Sequence, residues 1–480
     1  MPDDPPRQER DAVDDVIVEA LTEVLFDSRA QIDFVAGDVP PEPPAPAIGS
    51  AWASAPGPGD GYSTVSIQLS DRFAHVLADH GSLPFTELLE LIPAAALATA
   101  QRMRTTRGRV RYLPPTARRV ARDTLTAEIL NSYLRARVGV DDPGELTAEV
   151  IEYLIEISGT RVEASELSHG VVIADALKDI PRIDLRYPAD LRAAKRAPLL
   201  FDGEQSVLVV DPQGRARTEV QRHRLPALEP LDGSSAARGR TAPEMGLANQ
   251  SLVADATRLL GGIGFLVRKD RSIWTFVDGM PLLVRRAERW TAFPLALTGS
   301  INDLTDGAPA AALVARTAFL ISTRPKGAIL AIVDEPDDVA HVVPTKDRYD
   351  LRNEFDPVAM RPETRLHHLI DTEDLDEFTL ARVAALDGAT ILDRDGALVA
   401  YAAVVASSDS VQEGARTAAA RSLSRDASVV LKVSIDGDIT IFKDGSEVVT
   451  LLGSTSLGGP RSDERSATTH TGTDEQRWPL

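Results

Sequence analysis

Two short segments carry residue types that could do chemistry. The first is Asp387-Gly388-Ala389, set between a helical stretch and the apolar run Thr390-Ile391-Leu392. A carboxylate at the start of a strand can ligate Mg2+ or hold a ribose hydroxyl, and a glycine beside it lets a ligand approach the backbone closely. The same tripeptide also reads as a plain helix-to-strand turn, because Asp-Gly favours turns. The second segment is Glu413-Gly414-Ala415-Arg416-Thr417, which opens an Ala-rich stretch running to Ser424. A helix starting there offers unpaired N–H groups, the positive end of its dipole and the Arg416 guanidinium, a combination suited to phosphate. An ordinary Ala-rich surface helix accounts for that stretch equally well.

The surrounding pattern alternates in a way that would bring these segments to one end of a sheet. A helix is expected over Ala310–Ser322, then an apolar strand over Ala328–Val333. Helices over Thr364–Ile370 and Asp376–Leu386 lead into strand Ala389–Asp393, the turn Arg394-Asp395-Gly396 and strand Leu398–Val405. A helix over Val411–Ser424 precedes strands Ser428–Val433, Asp438–Phe442 and Glu447–Leu451. The periods of 3.6 and 2 in this order predict a mixed sheet covered by helices.

With 480 residues the chain is too long for one compact core, and two domains plus tails are expected. Asp11–Phe26 places apolar residues at helical spacing (Val13, Val16, Ile17, Ala20, Leu21, Val24), and the proline run that follows reads as an extended linker to about residue 60. Residues 61–230 are expected to form an α+β domain. Its helices lie over Ser70–Gly81, Leu83–Thr105, Ala117–Arg137 and Leu146–Ile157, with a strand-like Arg109–Leu113 among them. Its later strands lie over Gly170–Ile173, Arg182–Tyr187, Ser206–Asp211 and Ala216–Arg222. The Gly- and Ser-rich stretch 231–250 reads as a linker. A second domain spans 251–455, opening with helix Ser251–Leu260 and a β meander over residues 264–285, and 456–480 is a polar, disordered tail. The fold class is therefore α/β, or α+β overall, with the mixed sheet in the C-terminal domain.

Three pieces of that second domain, taken in order, resemble the diadenylate-cyclase (DAC, or DisA_N) domain family. Lys326-Gly327-Ala328-Ile329-Leu330-Ala331-Ile332-Val333-Asp334 is similar to its opening strand. Asp387-Gly388-Ala389 with the following hairpin is similar to its Asp-Gly-Ala motif. Gly414, Arg416, Ala419, Ala420, Leu423 and Ser424 agree with its Gly-Thr-Arg-His-Arg-Ala-Ala helix start. The resemblance covers roughly a quarter of the chain. It implies a nucleotide-binding fold, with Asp387, Gly388 and Ala389 on the ribose or metal side, and Gly414, Arg416 and Thr417 on the phosphate side. Mg2+ or Mn2+ would accompany the bound nucleotide, with Asp387 as its protein ligand and, in an active enzyme, the catalytic carboxylate.

The departures narrow that implication. Where the family has His and a second Arg, this chain has Thr417 and Ala418, and Ala415 replaces the family's Thr. Charge-assisted contacts of this kind contribute roughly 1.5–3 kcal/mol each. Their loss resembles the sensor branch of the family, which holds a nucleotide without cyclising it. The expected function is a sensor for an adenine nucleotide or cyclic dinucleotide. Two rivals stand beside it: an active cyclase that condenses two ATP to cyclic di-AMP as a homodimer, and a scaffold with an empty pocket.

The remaining features exclude more than they assign. A net charge of −20 disfavours a general nucleic-acid coat. The absence of cysteine removes disulfides and thiolate chemistry, and no apolar run is long enough for a membrane span, so a cytoplasmic protein is expected. Arg222-His223-Arg224 and His169-Gly170-Val171 faintly echo the two motifs, as a degenerate repeat over 165–225 would. Leu225-Pro226 breaks a helix there, and a basic surface strand with an ordinary strand start is the plainer reading. Gly261-Gly262-Ile263-Gly264 reads as a helix C-cap rather than a phosphate loop, and the adjacent His367-His368 as helix-surface residues.

Overall fold

The computed structural model describes residues 12–25, 28–57, 60–69, 84–107, 114–138, 140, 145–162, 165–175, 184–193, 197–224, 251–269, 271–286, 288–292, 297, 300–301, 303–322, 326–354, 367, 375–406, 414–435 and 437–451. The helices expected over 70–81 and 364–370 (except residue 367), the strand over 109–113 and the tail from 456 lie outside these residues. Among the described residues the fold is mixed α/β, with helices layered on three main sheets.

The amphipathic segment at the start forms α1 (Ala12–Val24), and its apolar stripe of Val13, Val16, Ile17, Ala20, Leu21 and Val24 is buried. It docks within the chain, on α2 (Pro84–Arg107) and α3 (Pro115–Val138), and Arg122 reaches Glu19 at 2.9 Å and Glu23 at 3.0 Å across that seam. α2 continues through Pro93. Part of the stretch marked from sequence as a linker is strand. β1 (Ser28–Ala36) and β2 (Ser50–Pro56) flank β3 (Gly61–Leu69) in an antiparallel sheet packed against α2. Proline is confined to the connection and to the end of β2, where no ladder N–H is needed.

α4 (Leu146–Ser158) follows, then a short ribbon of β4 (Arg161–Val162) and β5 (Ser165–Glu166). The second sheet holds β6 (His169–Ile173), β7 (Ser206–Val210), β8 (Ala216–Gln221), β9 (Ile263–Val267), β10 (Ile273–Val277), β11 (Met280–Arg286) and β12 (Arg289–Thr291). Its order is β12-β11-β10-β9-β6-β7-β8. The short α5 (Ala189–Ala193) lies between β6 and β7, and α6 (Leu252–Leu260) precedes β9. The sheet thus takes strands from both sides of the 231–250 segment, because β9 pairs with β6 along its whole length. Of the strand expected over Arg182–Tyr187, residues 182–183 lie outside the described residues, and residues 184–187 show an isolated bridge between Arg186 and Arg215.

The third sheet holds β13 (Ala328–Val333), β14 (Ala389–Asp393), β15 (Leu398–Ala403), β16 (Val429–Val433), β17 (Ile439–Lys443) and β18 (Ser446–Leu451), in the order β15-β14-β13-β16-β17-β18. Three helices belong to it: α7 (Ala310–Ser322), α8 (Glu377–Ala384) and α9 (Ala415–Leu423).

These two large sheets repeat one pairing scheme. β6 is parallel to β7 and antiparallel to β9, as β13 is parallel to β14 and antiparallel to β16. His169 pairs with Val267 at the strand end where Ala328 pairs with Val433. In the meanders, Ile273 faces Val267 and Arg285, as Ile439 faces Val433 and Leu451. Both outer hairpins slip at one place, between Thr275 and Phe276 and between Ile441 and Phe442. Both turn on an Asp-Gly pair with positive φ, Asp278-Gly279 and Asp444-Gly445, the geometry that two-residue hairpins favour. The other hairpins match as well. The Asp211 carboxylate accepts from the Gln213 and Arg215 backbones, and Asp393 does the same for Asp395 and Ala397. The chain therefore contains two copies of one sheet. The corresponding positions are not those of the two motif echoes: Arg222-His223-Arg224 is a short turn after β8, and His169 corresponds to Ala328.

Candidate functional site

Asp387 and Gly388 lie between α8 and β14. Gly388 has φ +120°, and a Cβ there would sit 2.4 Å from the Ala402 carbonyl carbon. Only glycine fits so close to a neighbouring backbone. The cause is a bulge. In the first copy Val207 pairs with Val220, but in the second an added residue shifts the pairing of Ala389 to Ala403, and Ala402 takes φ +49°. Bulges of this kind re-aim side chains at sheet ends. The Asp387 side chain is fully exposed, and Ala389 is fully buried at the first position of β14, so Ala389 can meet a ligand only through its backbone.

The second segment is brought to the same place. Gly414 is the N-cap of α9 with an ordinary φ of −59° and open space where a Cβ would point. Gly414 has no side chain to cap the helix, so among the described residues no side chain is bonded to its first N–H groups. The Arg416 guanidinium lies 3.8 Å from the Asp387 carboxylate. It also packs on Gly327, where a Cβ would come within 2.7 Å of Arg416 Nη1. Lys432 Nζ on β16 donates to Thr417 Oγ1 at 3.1 Å, which leaves the Thr417 hydroxyl hydrogen for another acceptor. Asp387, Gly388, Arg416 and Thr417, separated along the chain, thus share one end of the third sheet with Gly327 and Lys432.

A cleft of about 320 Å³ adjoins this end, between the last turn of α7 and one stripe of α8. Its walls include Ile321, Lys326, Phe378, Ala381, Arg382 and Ala385. Ala385 is two residues from Asp387, and Lys326 is bonded to the glycine under Arg416. Among the described residues Lys326 and Arg382 make no hydrogen bond or ion pair, and Arg382 acts at a distance on Asp376, whose carboxyl is held below its usual range chiefly by the Thr379 N–H. Unpaired cations facing a cavity in a chain of net charge −20 favour an anionic occupant. Of the groups assembled here, Lys432 and Arg382 are not marked by any motif. The one signal for Lys432 is the charge it places inside the apolar run Val429-Val430-Leu431-Lys432-Val433.

Among the described residues, the carboxylate at this end that a divalent cation would meet is Asp387. Among the described residues no three His, Asp or Glu side chains converge. That donor set fits a cation carried in by phosphate oxygens, which would supply the rest of its ligands.

The first copy holds the same backbone without these groups. Its helix N-cap is Ser251, and its second helical residue, the place of Arg416, is Val253. Ala254 stands where Thr417 does, Leu266 where Lys432 does, and Gln205 where Asp387 does. Leu252 N–H donates to Gly203 O at 3.1 Å, and a Cβ on Gly170 would strike Val253, so helix and strand ends close on each other. Below this closure lies His169, fully buried. Its Nδ1 faces the Pro198 carbonyl at 3.1 Å, which can only accept, so Nδ1 carries the proton. Nε2 then accepts from the Tyr187 hydroxyl at 3.2 Å. Desolvation pushes the His169 pKa down to about 4 and keeps the ring neutral.

No helix among the described residues is long and apolar enough to cross a membrane. Compared with known proteins, the chain matches no family model and no curated sequence.

Proposed function

We propose that the second copy is a nucleotide-binding sensor domain, and that the first copy is its structural partner. The observation that carries this reading is the meeting of Asp387 and Arg416, 3.8 Å apart beside a cleft lined by the unpaired Lys326 and Arg382. A carboxylate suits ribose hydroxyls or a phosphate-borne cation. A guanidinium, an ammonium and an open helix N-terminus suit phosphate oxygens. The resemblance of the same residues to the DAC domain family points to an adenine nucleotide or cyclic dinucleotide, with Mg2+ or Mn2+ at Asp387 when the nucleotide is bound. A single cationic side chain in the first turn of the helix, Arg416, where that family places Arg, His and Arg in succession, favours holding a nucleotide over cyclising it.

The test is calorimetry of the full chain with ATP and with cyclic di-AMP, paired with incubation in ATP and Mn2+ and a search for cyclic di-AMP. Saturable heat without product is the expected result. Cyclic di-AMP formation that disappears in Asp387→Asn would replace the sensor with a cyclase. No heat with either ligand would leave a scaffold.

A further inference from the structure

We infer that the ligand is a single nucleotide whose base stacks on Phe378, in the cleft between α7 and α8. This rests on the nucleotide-binding reading above and adds the seat of the ring.

Most of α8's apolar surface is spent on the core: Leu380, Ala381, Val383 and Ala384 are buried. Phe378 is the exception, 44% exposed at the cleft. Phe378, Ala381, Arg382 and Ala385 follow each other at helical spacing of three and four, so one stripe of the helix forms that wall. A half-exposed ring beside small side chains leaves a flat apolar slot, with Ile321 on the opposite side. Lys326 lines this slot and is followed in the chain by Gly327, on which Arg416 of the Asp387–Arg416 pair packs. A ligand that satisfies both ends therefore has a planar apolar part and an anionic part, as a nucleotide does. Arg382, one turn beyond Phe378, has donors and no acceptor, so the ring edge it meets must present acceptors.

The cleft volume sets the size. About 320 Å³ is at the low end of small-molecule sites, which span roughly 300–1,000 Å³. It holds one base and sugar, with the phosphates running out toward Arg416 and Lys432. Among the described residues the slot is built on the second copy. Between β6 and β7 the first copy has the short α5 in place of α8.

Stacking of a base on an aromatic side chain is sequence-tolerant and worth roughly tenfold or more in affinity. The experiment measures the affinity of the full chain, of Phe378→Ala and of Arg416→Ala for ATP and for inorganic tripolyphosphate. Phe378 is exposed, so its removal leaves the fold intact, which thermal unfolding checks. The expected result is that Phe378→Ala weakens ATP about tenfold and leaves tripolyphosphate unchanged, while Arg416→Ala weakens both. ATP binding that is insensitive to Phe378→Ala but lost in Arg416→Ala overturns the base seat and leaves the nucleotide reading standing. Equal weakening of both ligands by Phe378→Ala also overturns it. Absence of binding by the unmodified chain overturns the reading beneath it, and tighter binding of cyclic di-AMP than of ATP overturns the single-nucleotide size.

Discussion

In the first copy the second residue of the covering helix is Val253, pressed against the strand end at Gly170. In the second copy it is Arg416, 3.8 Å from an exposed carboxylate. The strand residue below is Leu266 in one and Lys432 in the other. The strand registers of the two sheets agree, down to the slip in the outer hairpin, so the difference at this end lies in side chains, in one inserted residue at the Ala402 bulge and in the connections between strands. The same frame can be sealed by apolar contacts or held open by charges that repel apolar closure. Sealing adds buried area, at about 25 cal/mol per Å². Openness forgoes that area and leaves room for a ligand.

A second contrast runs between the outer sheet faces. Trp274 on β10 packs edge-to-face on Phe319 of α7, with centroids 4.8 Å apart, and so ties the first copy to the second. Its counterpart Thr440 instead receives a hydrogen bond from Thr450 at 3.1 Å. Trp274→Ala is expected to cost about 3–5 kcal/mol, as removal of a buried tryptophan does. Thr440→Ala should stay within about 1 kcal/mol, since it loses one neutral hydrogen bond. Urea unfolding of the two variants measures both, and equal losses would break the contrast between a face docked on a neighbouring helix and one closed by a cross-strand hydrogen bond.

The buried imidazole gives the first copy a histidine-borne acid sensitivity at a place where the second copy has Ala328. The folded-state pKa of His169 is lowered from 6.5 to about 4. Above pH 6.5 the ring is neutral in folded and unfolded chains alike, and it contributes no pH dependence. As the pH falls from 6.5 to 4 the unfolded chain binds a proton that the folded chain refuses, so stability falls. Below pH 4 both forms are protonated and the loss levels off. At about 1.4 kcal/mol per pKa unit the full loss is about 3 kcal/mol. Urea midpoints at pH 7 and pH 4.5 read it, and a His169→Gln chain with an equally steep decline would assign the loss to other groups.

A comparison read in binding rather than stability sharpens the contrast most. Arg416→Ala should weaken nucleotide binding by roughly ten- to a hundredfold, the worth of one charge-assisted contact, with little change in stability. Val253→Ala, at the corresponding position, should cost stability and leave binding unchanged. Calorimetry and thermal unfolding on the same two proteins separate these outcomes. Reduced binding in Val253→Ala would mean that the first copy takes part in the site.

Much of the architecture was legible in residue order. The apolar strand 328–333, the Asp-Gly hairpins and the helical stripe of α1 follow from periodicity and turn chemistry, which act over a few residues. β1 was legible in principle, since Ala30, Ile32 and Phe34 alternate with Arg29, Gln31 and Asp33. The neighbouring proline run dominated its composition, and the pairing with β3 that stabilises β1 is a long-range contact.

The sequence by itself determined which residues were available for chemistry: a carboxylate beside a glycine, and an arginine at the start of a helix. Only the tertiary structure decided that they meet, that Lys326, Arg382 and Lys432 join them, and that the second sheet, built from both sides of the 231–250 segment, repeats the third with the site filled in. The physical reason is range. Turns and periodicity are local properties, whereas strand register, the Ala402 bulge and the approach of Gly327 to Arg416 arise only when distant segments pair. Few side chains are shared between the two sheets, so their likeness resides in hydrogen-bond registers that residue types leave open.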